Sequence, residues 1–453
     1  MRNAFAVTVL VAALAAAGGC AGDKPKPDQV FLMPAPGIYE EGRIDPFIDD
    51  DPISRGAHPG ILYATDRAVA AADDRKYDYY THERGGVLRL GEAHARLGVD
   101  DGITWEEARR ITLLKNRTEN YPLEVTGIEE FGVLDRTIPP FDGTHERSDA
   151  ARERFADEIR ERLARSDRKH VYIYVHGYKV NFENPVLVAS ELWHFLGYNG
   201  AFVAYSWPTK FSVWAYVADL ENAMSSARNL RTLILEVAAI REVEKIHVIG
   251  YSAGTRIVSR VLADLGMYGY SLSKEEIDAR VKLGNVILIG SDVDRSIMSG
   301  YLVDGALRIP GALTIYQSQD DGALNMSKKV FRHDRSGQMV IDGPMSPQAE
   351  RFFAEHPDLW IIDVTNAEGG TDHGGHSYFR SSPWVSSDIL MTLMYGLSPG
   401  ERGLVKYENF PVWDFPDDYV TRLRSAIAEV NPAIGEAIRR YDESPGDKED
   451  TTQ

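Results

Sequence analysis

The sequence predicts an α/β protein: a mostly parallel central sheet with antiparallel strands at its N-terminal edge and helices on both faces. Three observations carry this. From residue 171 onward, short β-branched and aromatic runs alternate with stretches of helical periodicity, and such alternation implies right-handed crossovers and a parallel sheet. The apolar run 246–249 breaks at once into Gly250-Tyr251-Ser252-Ala253-Gly254 and then into a helical pattern over 255–262. Polar, reactive residues collect after successive strands, at the sheet edge where such folds bind ligands.

Taken in order, the first residues read as a processing signal. Met1-Arg2-Asn3 is positive, and 4–17 is uncharged and apolar. That run is shorter than the ~20 residues a spanning helix needs, so 1–19 reads as a signal peptide. Ala17-Gly18-Gly19-Cys20 resembles the lipobox of bacterial lipoproteins, with alanine where leucine is usual. The resemblance implies lipidation at Cys20 and an exported protein anchored to the cell envelope through its lipid. A plain cleaved secretory signal is the alternative. Cys20 is the only cysteine, which excludes disulfides, a thiol nucleophile and a thiolate zinc site.

Residues 20–56 are rich in Pro, Gly and Asp and are expected to form a flexible tether. The folded body is expected over 57–415, with early strands at 61–65, 87–90, 121–125 and 127–134. A helix at 104–113 opens on Thr104-x-x-Glu107, a capping-box pattern. Residues 147–164 form a charged helix with Phe155, Ile159 and Leu163 on one face. Strands follow at 171–175, 201–205, 285–289, 313–316 and 359–364, with helices at 184–196 and 216–240. Residues 416–442 form a helical extension, and 443–453 is expected to be a disordered tail.

Composition narrows the function. The 453 residues are 43% hydrophobic and 26% charged, enough for a substantial core. A formal net charge of -18 repels phosphate backbones, so nucleic acid is not an expected partner.

The strand–turn–helix around Ser252 is the setting of a nucleophile elbow. Its turn lifts the serine hydroxyl off the sheet, and the following helix aims its positive end at developing negative charge. A serine nucleophile needs a base, and the base needs an orienting carboxylate. Asp292, Asp294, Asp320 and Asp321 follow Ser252, and His373 and His376 follow them. The oxyanion donors are expected from the backbone of Ala253 and of Tyr178, the latter after the strand ending at Val175. His176 is expected to hold that loop. Trp207, Phe211, Trp214 and Tyr216 could form an acyl- or alcohol-binding wall or simply pack a helix. Asp372-His373-Gly374-Gly375-His376 also admits a metal-binding reading. Glycines separate these side chains and no distant Cys or His-rich partner is evident, so no metal is expected.

Several short stretches together resemble the bacterial α/β-hydrolases described as an esterase/lipase superfamily, mostly of unknown substrate. They are Tyr63-Ala64-Thr65-Asp66-Arg67, Val175-His176-Gly177-Tyr178, Tyr205-Ser206-Trp207-Pro208, Gly250-Tyr251-Ser252-Ala253-Gly254, Ser291-Asp292-Val293-Asp294, Asp321-Gly322-Ala323-Leu324 and Gly375-His376-Ser377-Tyr378-Phe379. The resemblance spans about 62–393; Tyr251 and Ala253 depart from the His and Met that flank the family's serine. It implies an α/β-hydrolase fold with Ser252 as nucleophile, His376 as base and Asp321 as acid ahead of Asp320. Asp292 is the rival acid, His373 the substitute base, and Asp294 is expected to pair with Arg295. The resemblance further implies cleavage of a small-molecule or lipid ester through an acyl-enzyme, without a cofactor. The alternatives are a non-catalytic envelope scaffold and a serine peptidase or amidase.

Overall fold

Side chains of one strand alternate between two faces, and in this protein each face has its own core. Val171, Ile173 and Val175 enter one, while Tyr172 and Tyr174 enter the other. The structure is a computed structural model. It describes residues 29–47, 60–98, 103–114, 117, 119–136, 149–210, 216–331, 333–338, 345–370, 375–408 and 410–443. The expected signal peptide, Cys20, the tail beyond Glu443 and His373 lie outside these residues.

The strands are β1 (Val30–Phe31), β2 (Ile61–Val69), β3 (Tyr80–Leu97), β4 (Pro122–Arg136), β5 (His170–Val175), β6 (Ala201–Ser206), β7 (Lys245–Tyr251), β8 (Leu283–Ile289), β9 (Ala312–Gln317), β10 (Leu359–Asp363), β11 (Val405–Lys406) and β12 (Val412–Asp414). They form one sheet in the order β1-β4-β3-β2-β6-β5-β7-β8-β9-β10-β12-β11. From β2 through β12 every neighbour pair is parallel. The pairs β1–β4, β4–β3, β3–β2 and β11–β12 are antiparallel and close the two edges. This is the predicted α/β-hydrolase architecture, mostly parallel with antiparallel N-terminal strands.

Helices Asp149–Ala164, Tyr216–Ala238, Gly254–Tyr268 and Lys274–Val281 cover one face. Helices Glu183–Phe195, Pro383–Tyr395 and Tyr419–Val430 cover the other. The expected strands 121–125 and 127–134 are a single strand. Its register against β3 shifts at Leu88/Arg89, Leu90/Gly91 and His94/Ala95, so bulges absorb what reads in sequence as a break.

The expected tether is corrected over 29–47. Val30, Leu32, Met33, Ile38, Tyr39 and Ile44 are buried in the second core. Backbone carbonyls of this irregular stretch are satisfied by arginines: Arg380 donates to Phe31 O (2.7 Å), Arg117 to Leu32 O (2.9 Å) and Arg424 to Gly37 O (2.9 Å). Sparse apolar residues and long-range donors anchor the segment without local periodicity.

The C-terminal helices Tyr419–Val430 and Pro432–Glu443 are likewise built into the body. Tyr419, Leu423 and Ile427 are buried in the same core. Tyr419 Oη donates to Asp388 Oδ1 (2.7 Å), a carboxylate that also receives Arg402 Nε (2.6 Å) and Tyr316 Oη (2.5 Å).

Candidate active site

The apolar run of β7 stops at Tyr251, and Ser252 takes a left-handed φ of +51° before helix Gly254–Tyr268 begins. A non-glycine residue there is strained by roughly 1–3 kcal/mol. The surroundings hold it: Ser252 N donates to Ile289 O of β8 (2.8 Å), and Thr255 N and Oγ1 both donate to Ser252 O (3.0 and 2.5 Å). Gly254 lets helix and sheet approach, because a Cβ there would collide with the carbonyl oxygens of Val175 and His176. Ala253 is the N-cap and no side chain caps the helix, so its positive end is directed at the turn.

His376 lies on the loop before the short helix Tyr378–Ser381. Its Nε2 is 2.9 Å from Ser252 Oγ, and its Nδ1 is 2.7 Å from Asp321 Oδ2. Asp321 follows β9 and its side chain is fully buried, whereas that of His376 keeps 17% of its surface exposed. Leu324 N donates to the other carboxylate oxygen of Asp321 (2.9 Å), which fixes the carboxylate plane. The ring of Tyr251 lies 5.2 Å from that of His376. Burial pushes the Tyr251 phenol up to about 12, so it stays neutral. Tyr378 Oη accepts from Gly290 N (2.7 Å) and donates to Tyr316 O (2.9 Å). It thereby ties the histidine loop to the ends of β8 and β9.

The other candidates lie elsewhere. Asp292 is occupied by Arg256 Nε (3.0 Å), Ser327 Oγ (2.6 Å) and Arg335 Nε (3.7 Å). Asp320 is exposed beside the buried Asp321. Asp294 does not pair with Arg295. It caps helix Arg295–Val303 by accepting from Ser296 N (2.9 Å) and Ile297 N (3.1 Å), and Arg295 reaches Asp334 instead.

His176 is fully buried. Its Nδ1–H donates to Gly177 O (2.5 Å), since a carbonyl can only accept, which leaves Nε2 to accept from Trp207 N (3.0 Å). Burial and the nearby Arg67 hold its pKa well below the usual range, so it is a neutral strut. Trp207 is stacked on it at 5.3 Å and wholly buried, which removes that residue from any substrate wall. Phe211 and Trp214 lie outside the described residues. Tyr178 follows in the same loop, and burial raises its phenol pKa. Among the described residues no three His, Cys, Asp or Glu side chains gather as a metal-ligand set.

Two features of this site escape the motif reading. Thr255 braces the elbow, and Arg67 sits fully buried behind the 176–181 loop. Arg67 lies within Tyr63-Ala64-Thr65-Asp66-Arg67, and an arginine inside the strand Ile61–Val69, two residues before its end, is the signal that could have marked it.

A family model described as an alpha/beta hydrolase of unknown function (DUF900) matches residues 151–393. That segment is more than half of the chain and contains Ser252, Asp321 and His376. The chain belongs to this alpha/beta hydrolase family. No curated protein and no solved structure matches the sequence. The hydrolase segment carries β5 through β10, while β1–β4 and the C-terminal helices lie outside the matched range.

Proposed function

We propose that the protein is a serine hydrolase that cleaves carboxylic esters through an acyl-enzyme. The observation that carries this reading is the unbroken relay from Ser252 Oγ through His376 to Asp321, at 2.9 and 2.7 Å. A carboxylate accepts, so Nδ1 of His376 holds the proton facing Asp321 and Nε2 is free to accept from the serine hydroxyl. In the reaction Ser252 Oγ bonds to the carbonyl carbon while its proton passes to Nε2. The tetrahedral oxygen is stabilised by backbone N–H groups of Ala253 and Tyr178, helped by the helix N-terminus. The carbon–alkoxide bond then breaks and the leaving oxygen takes the proton from Nε2. Water, deprotonated by the same nitrogen, attacks the acyl carbon; the carbon–Oγ bond then breaks, Ser252 Oγ takes the proton back from Nε2, and the carboxylic acid leaves. No step calls for a cofactor. The preference for ester over amide rests on the sequence resemblance.

The test is labelling with a fluorophosphonate, with the adduct mapped by mass spectrometry. Labelling at Ser252 that vanishes in Ser252→Ala is the expected result. A folded native protein that takes no label would favour the scaffold alternative.

We also propose export and lipid anchoring through Cys20, supported by the signal-like residues 1–19. Among the described residues no helix is long and apolar enough to cross a membrane. Replacing Cys20 by Ser is expected to release the protein from the membrane fraction. Unchanged retention would overturn the anchor.

A further inference from the structure

The loop 176–181 approaches Ser252 through Gly177. A Cβ on Gly177 would stand 3.0 Å from Ser252 Cβ and 3.5 Å from Oγ. Two residues on, Lys179 adopts a left-handed φ of +64°, a conformation that only the surroundings can enforce on a lysine. The loop begins at His176, which Trp207 immobilises.

What fixes its far end is Arg67. Its guanidinium is fully buried. Nη2 donates to Val180 O (3.1 Å) and Asn181 O (3.4 Å) and faces His176 Nε2 (3.5 Å). Nε donates to Ser206 Oγ (3.0 Å), and Nη1 lies 3.3 Å from both Thr81 O and His82 Nδ1. Among the described residues no carboxylate pairs with it at ion-pair distance. Thr209 Oγ1 adds a second hold, donating to Val180 O (2.9 Å). A buried cation whose direct hydrogen-bond partners are all neutral, with the carboxylates of Asp66, Glu183 and Asp219 acting on it only at longer range, is unfavourable for folding. All these acceptors belong to the loop or to the strands and loops beside it, so the arrangement gains loop geometry and not a salt bridge. Burial lowers the Arg67 pKa to about 10, which leaves it cationic at neutral pH.

We propose that Arg67 is a positioning residue: by gripping the far end of loop 176–181 at Val180 O and Asn181 O, against a start fixed by His176 and Trp207, it holds the strained turn at Lys179 and so aims the backbone N–H of Tyr178 at the oxyanion. This rests on the serine-hydrolase reading above. Arg67 touches no reacting atom, so its effect appears in the chemical step and not in ground-state binding.

The experiment compares Arg67→Met and Arg67→Lys with the native chain, each verified as folded by circular dichroism and thermal melting. Lysine keeps the charge but supplies one compact donor group where arginine supplies a planar fork. For a p-nitrophenyl ester, kcat is expected to fall about tenfold to a hundredfold in Arg67→Met, with KM within about twofold. Arg67→Lys should recover only part of the loss. Inhibition by a trifluoromethyl ketone, which forms a tetrahedral adduct on the serine, should weaken in parallel with kcat. A folded Arg67→Met or Arg67→Lys with native kcat, or with a changed KM alone, overturns the proposal. If neither variant folds, Arg67 acts in holding the fold and the proposal is again overturned. A native chain that takes no fluorophosphonate label would instead overturn the hydrolase reading itself.

Discussion

Gly290 lies against the imidazole of His376: a Cβ placed on it would stand 3.1 Å from Cε1 and 3.2 Å from Nδ1. Its φ of +54° also falls in the left-handed region. The end of β8 thus forms the back wall that sets the ring's position. Gly290→Ala is therefore expected to push His376 off its line between Ser252 and Asp321. Turnover should fall roughly a hundredfold, as it does for a reacting group displaced by about 1 Å, while the far-ultraviolet spectrum is retained. Native turnover in this variant would show that the ring has slack.

The two rival carboxylates separate by phenotype. Asp321→Asn should lower kcat by roughly three to four orders of magnitude with little loss of stability, because the amide can present the wrong partner to Nδ1. Asp292→Asn removes the charge facing Arg256 and Arg335 and should act on stability by about 3–5 kcal/mol. Urea melts alongside ester kinetics read both. The opposite pattern would exchange their roles.

Asp388→Ala is expected to be among the most destabilising single changes. Arg402 and Asp388 are both fully buried, and removal of the carboxylate strands the guanidinium and two tyrosine hydroxyls. A loss of about 3–5 kcal/mol in urea unfolding is expected. A change below about 1 kcal/mol would show that the site repacks.

Acidification should destabilise the fold. Burial pushes His82 and His170 down to about 4 and holds His176 and His247 well below their ordinary range. Unfolded imidazoles titrate near 6.5. Between about pH 6.5 and 4 the unfolded chain therefore binds protons that the folded chain refuses. Stability present above 6.5 is lost as the pH falls through that window. Asp219, raised to about 6 by burial, and Asp66, also raised by burial, act in the other direction, but they are two groups against four. The urea midpoint at pH 5 should lie below that at pH 7.5, and an equal or higher midpoint would contradict the assignment.

Strands β5 to β10 were legible because each is a short apolar run bounded by a polar turn, a pattern local in sequence. The Ser252 elbow was legible for the same reason, whereas the three residues of β12, Val412–Asp414, carry no such run. The choice of Asp321 over Asp292 was not decided by spacing. It depends on Arg256, Ser327 and Arg335 converging on Asp292 from three different segments. Segment 29–47 was misread because its apolar residues follow no period and its partners lie as far away as Arg380 and Arg424. Arg67 was visible as a residue, but its acceptors on β3, β6 and the 176–181 loop exist only after folding.

The packing of residues 29–47 has a mechanical consequence. Arg380, four residues past His376, donates at once to Phe31 O (2.7 Å) and to Glu191 Oε2 (2.8 Å). Glu191 in turn accepts from Met33 N. The stretch by which the chain enters its fold is thus linked in series with the loop that presents the imidazole. A chain trimmed to begin at residue 57 would lose one carbonyl acceptor of Arg380 and one donor to Glu191, and with them the prop beneath that loop. A force applied at residue 29 would reach the relay through the same few bonds.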